Sequence, residues 1–204
     1  MAVELLFAHV SDPARFRSAI ARFDELNSAD PHRESVGGEL RPRELVYAER
    51  LCEWIMRLAP QASEVLRLAA RSQHLCRWEI PRDTYPQTRA GYHQWKNDLK
   101  KFHAGKSAEV LRAVGYTEDI ISRVSDLNLK KHFPADAETR VLEDALCLMF
   151  LQFQFGELAA KLDDEKTVNA VRKSWEKMTD PARQHALALP YTDRERELIQ
   201  RALG

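Results

Sequence analysis

The sequence is poor in glycine and carries no excess of charge of either sign. Only 7 of its 204 residues are glycine, which leaves little material for β-hairpin turns and favours helices. Lysine and arginine together number 31, as do aspartate and glutamate, so the net charge is zero. This balance gives no global attraction to nucleic acid or to an anionic membrane, although a local basic patch would be compatible with it.

Cysteine and long apolar runs are also scarce. The three cysteines, Cys52, Cys76 and Cys147, are odd in number, and no two have CxxC spacing. We therefore expect buried thiols outside any disulfide and a reducing, cytoplasmic compartment. The opening residues lack the basic segment of a signal peptide. The richest apolar run, 145–155, is far shorter than the ~18 residues of a membrane span, so no membrane association is expected.

Apolar residues recur at helical spacing along most of the chain, and prolines and capping residues divide this pattern into segments. The pattern predicts an all-α, single-domain bundle of about seven to nine helices over residues 1–204. Its core would cover about 13–189, with a C-terminal helix at 192–203. Residues 27–41 read as a loop, and we find no strand pattern. The other predicted helices cover about 13–27, 42–58, 63–78, 89–114, 117–127, 136–162, 165–178 and 181–189.

The segment most typical of a binding site is SQHLCRWEIPRDTYPQTRAGY, Ser72–Tyr92, between the third and fourth helices. His74 lies near the end of the buried third helix. Arginines bind anions and aromatic rings stack on flat ligands, and both residue types crowd this proline-rich loop. The alternative is a structural loop whose aromatics cover the core. The candidate ligand-binding residues here are Arg77, Trp78, Arg82 and Tyr85.

The fourth helix places basic residues beside aromatic ones. His93, Lys96, Lys100 and His103 fall on one predicted face, and Tyr92, Trp95, Leu99 and Phe102 fall on a neighbouring face. This arrangement suits the wall of a phosphate-binding pocket. It is also typical of an ordinary amphipathic helix with solvated lysines. Lys96, Lys100 and His103 are therefore further candidates.

In the sixth helix, Glu143 and Asp144 interrupt an apolar run. Charged residues are seldom buried without a partner, so Asp144 is a candidate to meet His74, His103 or a basic group. The alternative is that one carboxylate faces water. The sequence contains no phosphate-binding glycine loop, HExxH or GxSxG motif. Cys76 is a weak candidate nucleophile, because it and His74 point apart on a helix.

Several blocks carry a resemblance over roughly residues 16–189. They are ELVYAERLCEWI, RLAARSQHLCRWEIPRDTYP, GYHQWKNDLKKFHA, LEDALCLMFLQF and EKTVNAVRKSWEKM. Together they resemble the family known as domain of unknown function 4202. That resemblance implies no particular activity.

A more distant resemblance is to the HD superfamily of helical, metal-dependent phosphohydrolases, and it implies an HD-domain-like core. His74 matches the paired histidine, His103 an extra histidine of some subgroups, and Asp144 the final aspartate. Leu75 stands where the metal-bridging aspartate would follow His74. The early histidine position falls near Tyr47, and a later one falls near Lys130.

These departures bear on the metal. The loss of two metal-ligating residues should prevent a standard site from binding a divalent metal, so we favour a protein without a bound metal. Lys130 would then supply positive charge in its place. The alternative is a different ligand set, namely Glu49, His74, His103 and Asp144.

The resulting hypothesis is an HD-like enzyme, a phosphohydrolase or related, acting on a small phosphorylated or nucleotide-like molecule. Basic residues would hold the anion, Trp78 or Tyr85 would stack on a ring, and His74 or His103 would transfer a proton, oriented by Asp144. One alternative is a non-catalytic sensor of an anionic metabolite. A second is an RNA-associated protein, against which the neutral charge argues. The expected anion-binding residues are Arg77, Arg82, Lys96, Lys100 and Lys130. The cofactor and the oligomeric state are left open.

Overall fold

The computed structural model describes residues 6–204, so the first five residues lie outside it. This part of the chain contains ten α-helices and one two-stranded hairpin. The all-α prediction is confirmed, with slightly more helices than the seven to nine expected. The chain forms two compact units, which meet in sequence between Phe133 and Pro134. Each is described by itself, and the single-domain prediction stays a prediction.

The first unit contains five helices that enclose an apolar core. Side-chain caps begin three of them: Asp12 accepts hydrogen bonds ahead of the first, Ser63 ahead of the third and Thr88 ahead of the fourth. The core includes Phe16, Phe23, Leu51, Ile55, Leu68 and Leu111, all of them fully buried. The helices are α1 (Pro13–Ser28), α2 (Arg43–Leu58), α3 (Glu64–Ser72), α4 (Arg89–Ala113) and α5 (Glu118–Asn128).

The loop expected at 27–41 contains a β-hairpin, so the prediction of no strands was wrong here. Strand β1 (Arg33–Val36) pairs antiparallel with β2 (Glu39–Pro42). Gly37 and Gly38 have φ of +60° and +90°, which is the backbone of a two-residue turn that glycine adopts without steric cost. The sequence pattern does not predict these strands, because neither strand has a buried face.

Helix α3 ends six residues earlier than the predicted end near Trp78. After Ser72 the chain leaves the helix, and Cys76 adopts a left-handed conformation with φ of +54°. Two short 3-10 turns follow, at Arg77–Glu79 and Arg82–Thr84. His74 therefore lies in a turn after the helix, where its position depends on tertiary contacts.

The second unit contains the last five helices. The predicted continuous helix 136–162 is interrupted by a π turn at Phe150–Gln154, where the Phe155 N–H donates to the Phe150 carbonyl. All other helix bounds in this unit agree with the predictions within about two residues. The helices are α6 (Ala137–Met149), α7 (Phe155–Lys161), α8 (Asp164–Lys177), α9 (Asp180–Leu187) and α10 (Asp193–Leu203).

The three cysteines are buried, as predicted, and no disulfide joins any of them within residues 6–204. Every helix in the described part of the chain is too short or too polar to act as a transmembrane segment.

Candidate functional site

The turn that carries His74 is held from three helices. Ser72, at the end of α3, lies in a buried network in which Ser107 of α4 and Asn128 of α5 donate hydrogen bonds to its hydroxyl oxygen, at 3.0 and 3.1 Å. On the other side of the turn, the Cys76 N–H donates to Asn27 Oδ1 of α1 at 3.1 Å. Because each end of the turn is fixed by buried polar contacts, the backbone around His74 has one preferred path.

The imidazole of His74 lies among three other polar side chains, and we call these four residues the His74 cluster: Glu44, Tyr47, His74 and His103. The Tyr47 ring stacks on the His74 ring with centroids 4.1 Å apart and planes 14° apart. Glu44 Oε2 lies 3.3 Å from His74 Nδ1. The His103 ring centroid lies 5.7 Å from that of His74. The His74 side chain keeps 20% of its exposure, so solvent reaches part of the ring.

Glu44 is a buried carboxylic acid in the first turn of α2. Its N–H donates to Asp30 Oδ2 at 3.0 Å, so a buried aspartate fixes the start of the helix. Its Oε1 lies 3.7 Å from Arg77 Nε, and its Oε2 accepts no hydrogen bond from any described residue. Burial raises the pKa of Glu44 to about 7, against the opposing charge of Arg77. This carboxyl can therefore gain or lose a proton near neutral pH.

His103 is buried on α4 with a defined tautomer. Its Nδ1 lies 2.8 Å from the Leu75 carbonyl oxygen, and a carbonyl only accepts, so Nδ1 carries the hydrogen. Nε2 then holds an unshared electron pair, and this buried atom finds no hydrogen-bond partner in residues 6–204. Burial, followed by the neighbouring His74, lowers the pKa of His103 to about 3. The ring is neutral at pH 7.

Three cationic side chains act on His74. Burial lowers the pKa of His74 well below its usual value, and Arg77, Lys130 and Arg43 lower it further by charge repulsion. The Arg77 guanidinium lies over the Trp95 ring at 4.9 Å, which fixes its position. Lys130 follows the end of α5 with φ of +57°, a backbone conformation that usually belongs to glycine or asparagine. His74 is therefore a neutral imidazole on which three cationic side chains act.

Of the predicted site residues, the structure brings His74, His103 and Arg77 together, and Lys130 acts on His74 through its charge. Contrary to the prediction, His103 does not share a helix face with Lys96. It lies instead on the buried side of α4 with Trp95 and Leu99, which precede it by two turns and one turn. The exposed Lys96 ammonium lies over the Tyr92 ring at 5.5 Å.

The other predicted loop residues support the loop itself. Arg82 donates to the carbonyl oxygens of Tyr85 and Pro86 at 3.0 and 2.9 Å, so its guanidinium braces the turn. The Tyr85 hydroxyl donates to Asp98 Oδ2 at 3.1 Å. Trp78 and Lys100 are half-buried. A ligand-binding role for these four residues stays a prediction.

Asp144 lies in the second unit, where both of its oxygens are engaged. Oδ1 accepts from the Thr179 N–H at 2.8 Å, and Oδ2 accepts from the Thr179 hydroxyl at 2.6 Å. Thr179 precedes α9, so Asp144 ties α6 to the start of that helix. Its neighbour Glu143 accepts from Lys177 Nζ at 2.9 Å. The predicted role of Asp144 in orienting a histidine stays a prediction.

The alternative metal ligand Glu49 lies in an ion-pair network. Arg41 donates to its Oε1 at 2.8 Å, and Arg71 Nη2 lies 3.9 Å from the same atom. Among the described residues, no three His, Cys, Asp or Glu side chains are grouped so that they could hold a metal ion.

Sequence reasoning did not assign Glu44 or Tyr47 to the site. Their spacing contained the signal, because residues i and i+3 of a helix share a face. Both therefore meet the same partner, His74. What the sequence does not contain is the path of the chain after Ser72, which brings His74 to that face.

The fold and the cluster define an all-α protein with a partly buried histidine–carboxylate cluster on which nearby cations act. The family model described as Domain of unknown function (DUF4202) matches residues 17–199. The chain therefore belongs to the DUF4202 family. No curated protein and no solved structure matches it.

Proposed function

We propose that the His74 cluster binds a small phosphorylated or nucleotide-like molecule, and that the protein is an HD-like phosphohydrolase or a related enzyme. The observation that carries this proposal is the combination of three cations, Arg43, Arg77 and Lys130, around a neutral, partly exposed His74. A phosphate group would neutralise that local positive charge. A buried carboxyl with a pKa of about 7 would serve proton transfer next to it.

The chemistry is hydrolysis of a phosphate ester. Water attacks phosphorus and gives a proton to an imidazole nitrogen of His74 or His103. The imidazolium then returns that proton to the ester oxygen as the P–O bond breaks, so the alcohol leaves and inorganic phosphate remains. Arg77 and Lys130 stabilise the negative charge on the phosphoryl oxygens. Glu44 stabilises the imidazolium that forms on His74.

The divalent metal implied by the HD resemblance does not fit these residues. Leu75, fully buried and apolar, stands where the metal-bridging aspartate would be. Cationic side chains would therefore supply the positive charge that the metal supplies in HD enzymes. Metal analysis of protein purified without chelators tests this choice.

The loop at 77–86 supports a nucleotide-like ligand. Trp78 is half-buried, and the Tyr85 ring is held through its hydroxyl, so either ring can stack on a base. Arg82, Lys96 and Lys100 would contact further phosphates. The three buried, reduced thiols fit a cytoplasmic location.

A thermal-shift screen tests the proposal, because a ligand that binds the folded state raises the melting temperature. The panel would pair each phosphorylated metabolite with its dephosphorylated form. We expect phosphorylated compounds alone to stabilise the protein, and Arg77→Gln to abolish the shift. Lys161→Gln is the matched control, since Lys161 is 73% exposed and pairs with Glu157.

A phosphate-release assay on the compounds that stabilise the protein distinguishes an enzyme from a non-catalytic sensor. Hydrolysis supports the enzyme. Binding without hydrolysis, with or without added metal, would make the protein a sensor of the same ligand. Equal stabilisation by the dephosphorylated compounds would overturn the proposal.

A further inference from the structure

We infer that Glu44 is the positioning residue for His74: its carboxylate accepts the Nδ1–H of the imidazole, which leaves Nε2 as the nitrogen that exchanges protons. This tautomer can be tested without any ligand. Only the use of Nε2 in catalysis rests on the proposed function.

The first argument is the contact itself. Glu44 Oε2 lies 3.3 Å from His74 Nδ1, a contact that is not a formed hydrogen bond, and this buried oxygen has no hydrogen-bond partner in residues 6–204. A buried carboxylate oxygen without a donor is unfavourable. The Nδ1–H of His74 is the donor within reach, and the alternative tautomer would place two electron pairs face to face.

The second argument is that α2 holds the ring from two directions. Glu44 meets the edge of the imidazole, and Tyr47, three residues later on the same helix, stacks on its face. Asp30 accepts the Glu44 N–H at 3.0 Å and fixes the helix start. One helix turn therefore sets both the position of the ring and its rotation.

The third argument comes from the charges around the pair. Arg77 lies beside the other oxygen of Glu44, and Lys130 and Arg43 act on His74. These cations oppose a positive charge on His74. Burial and the nearby Asp30 raise the pKa of Glu44 to about 7, while Arg77 and Arg43 favour its ionised form. The neighbouring His103 is neutral. Above neutral pH the pair is therefore a carboxylate facing a neutral ring.

The arrangement implies a reversal of the hydrogen bond when one proton is added. In the deprotonated pair, Nδ1–H donates to the carboxylate and Nε2 accepts. After protonation, the carboxyl O–H donates to Nδ1 and Nε2 carries the hydrogen. The same two groups thus serve as a base and, one proton later, as an acid.

Nitrogen NMR of the full chain with labelled histidines tests the inference, because ring nitrogen shifts distinguish the two neutral tautomers. His74→Asn identifies the His74 signals. Above neutral pH we expect Nδ1 to carry the hydrogen in the wild type. In Glu44→Met, which keeps the side-chain length and removes the acceptor, the ring should revert to the Nε2–H form that a solvated neutral histidine side chain prefers.

Two further variants make the result specific. Glu44→Gln carries an amide that can accept from or donate to Nδ1 but does not titrate, so it should abolish the reversal on acidification. Glu53→Gln, an exposed carboxylate on the same helix, should leave the His74 signals unchanged. An Nε2–H ring in the wild type above neutral pH, or an unchanged tautomer in folded Glu44→Met, would overturn the inference. Neither result depends on whether a phosphorylated ligand binds, so the proposed function is judged separately by the thermal-shift screen.

Discussion

The Tyr47 and His74 rings stack with centroids 4.1 Å apart and planes 14° apart. The pair joins helix α2 to the turn after α3, which are far apart in sequence. An aromatic pair of this kind contributes about 0.5–1.5 kcal/mol beyond its buried area. The stack therefore stabilises the fold and also fixes the candidate catalytic ring.

Replacement of Tyr47 separates these two effects. Tyr47→Phe keeps the ring, so we expect the stacking contribution to remain. Tyr47→Leu keeps apolar bulk but removes the stack, and should lower the free energy of unfolding by about 1 kcal/mol relative to Tyr47→Phe. Urea denaturation of the two variants measures the difference. Equal stability of the two would show that the stack contributes no energy of its own.

Lys130 should show a conflict between stability and function. A non-glycine residue in the left-handed region costs ~1–2 kcal/mol, and Lys130 occupies that region with φ of +57°. We expect Lys130→Gly to raise the free energy of unfolding by up to about 1 kcal/mol while weakening phosphate binding at least tenfold. Denaturation and thermal shift with a bound phosphorylated ligand measure both effects.

The neighbouring lysine provides the control for that variant. Lys131 pairs with Asp126 and its φ is not positive. Lys131→Gly should therefore lower stability and leave phosphate binding unchanged. If Lys130→Gly also lowers stability and leaves phosphate binding unchanged, Lys130 has no role in phosphate binding.

Glu44 should make stability depend on pH in an unusual direction. Its pKa is raised in the folded state from about 4.5 to about 7, so the folded protein binds the extra proton more tightly. The stabilisation from this proton is complete below pH 4.5 and is lost as the pH rises through 7. Glu44→Gln removes this titrating group. Between pH 5 and pH 8, its free energy of unfolding should therefore rise by about 2–3 kcal/mol relative to that of the wild type.

Denaturation of both proteins at those two pH values gives the comparison. Glu53→Gln, exposed on the same helix, should show no such gain. A constant difference between Glu44→Gln and the wild type would mean that Glu44 ionises normally and is solvated.

His103 should have the opposite effect on the acid side. Its pKa falls from 6.5 to about 3 on folding, so the folded state loses a proton that the unfolded state keeps. The resulting stability is present above pH 6.5 and is lost as the pH falls toward 3. His103→Gln should therefore lose less stability than the wild type between pH 6.5 and pH 4. The control is His93→Gln, since His93 is exposed on the same helix, and its stability should change with pH as in the wild type. If the stability of His103→Gln also follows the wild type, His103 is not a buried neutral ring.

The sequence predicted most of the helices because prolines and capping residues mark their starts. Pro13 begins α1 after the Asp12 cap, and Ser63 caps α3. It missed the hairpin, whose turn needs two glycines but whose strands bury no face. It also predicted His74 to lie on a helix. The chain in fact leaves the helix before His74, and Cys76 adopts a left-handed conformation that nothing in the sequence around it predicts.

The candidate site was predicted in part for a related reason. His74, His103 and Arg77 were identified by residue type, and Lys130 came from the resemblance to the HD superfamily. Glu44 was missed because its role depends on burial and on the approach of His74, 30 positions later in the chain. Contacts between distant segments are not encoded in local spacing, so the acid partner of a histidine is hard to choose from sequence.

Two glycines in α4 should respond in opposite ways to alanine. A Cβ at Gly91 would lie 2.2 Å from the Pro86 carbonyl oxygen, so Gly91→Ala must displace the loop that Arg82 braces. We expect a loss of about 1–3 kcal/mol and weaker binding of a nucleotide-like ligand, because Trp78 and Tyr85 shift with that loop. Gly105 has open space around its Cβ position, so Gly105→Ala should gain about 0.5–1 kcal/mol from helix propensity. Urea denaturation gives both signs, and a stabilised Gly91→Ala would show that the loop at 82–86 does not pack against the start of α4.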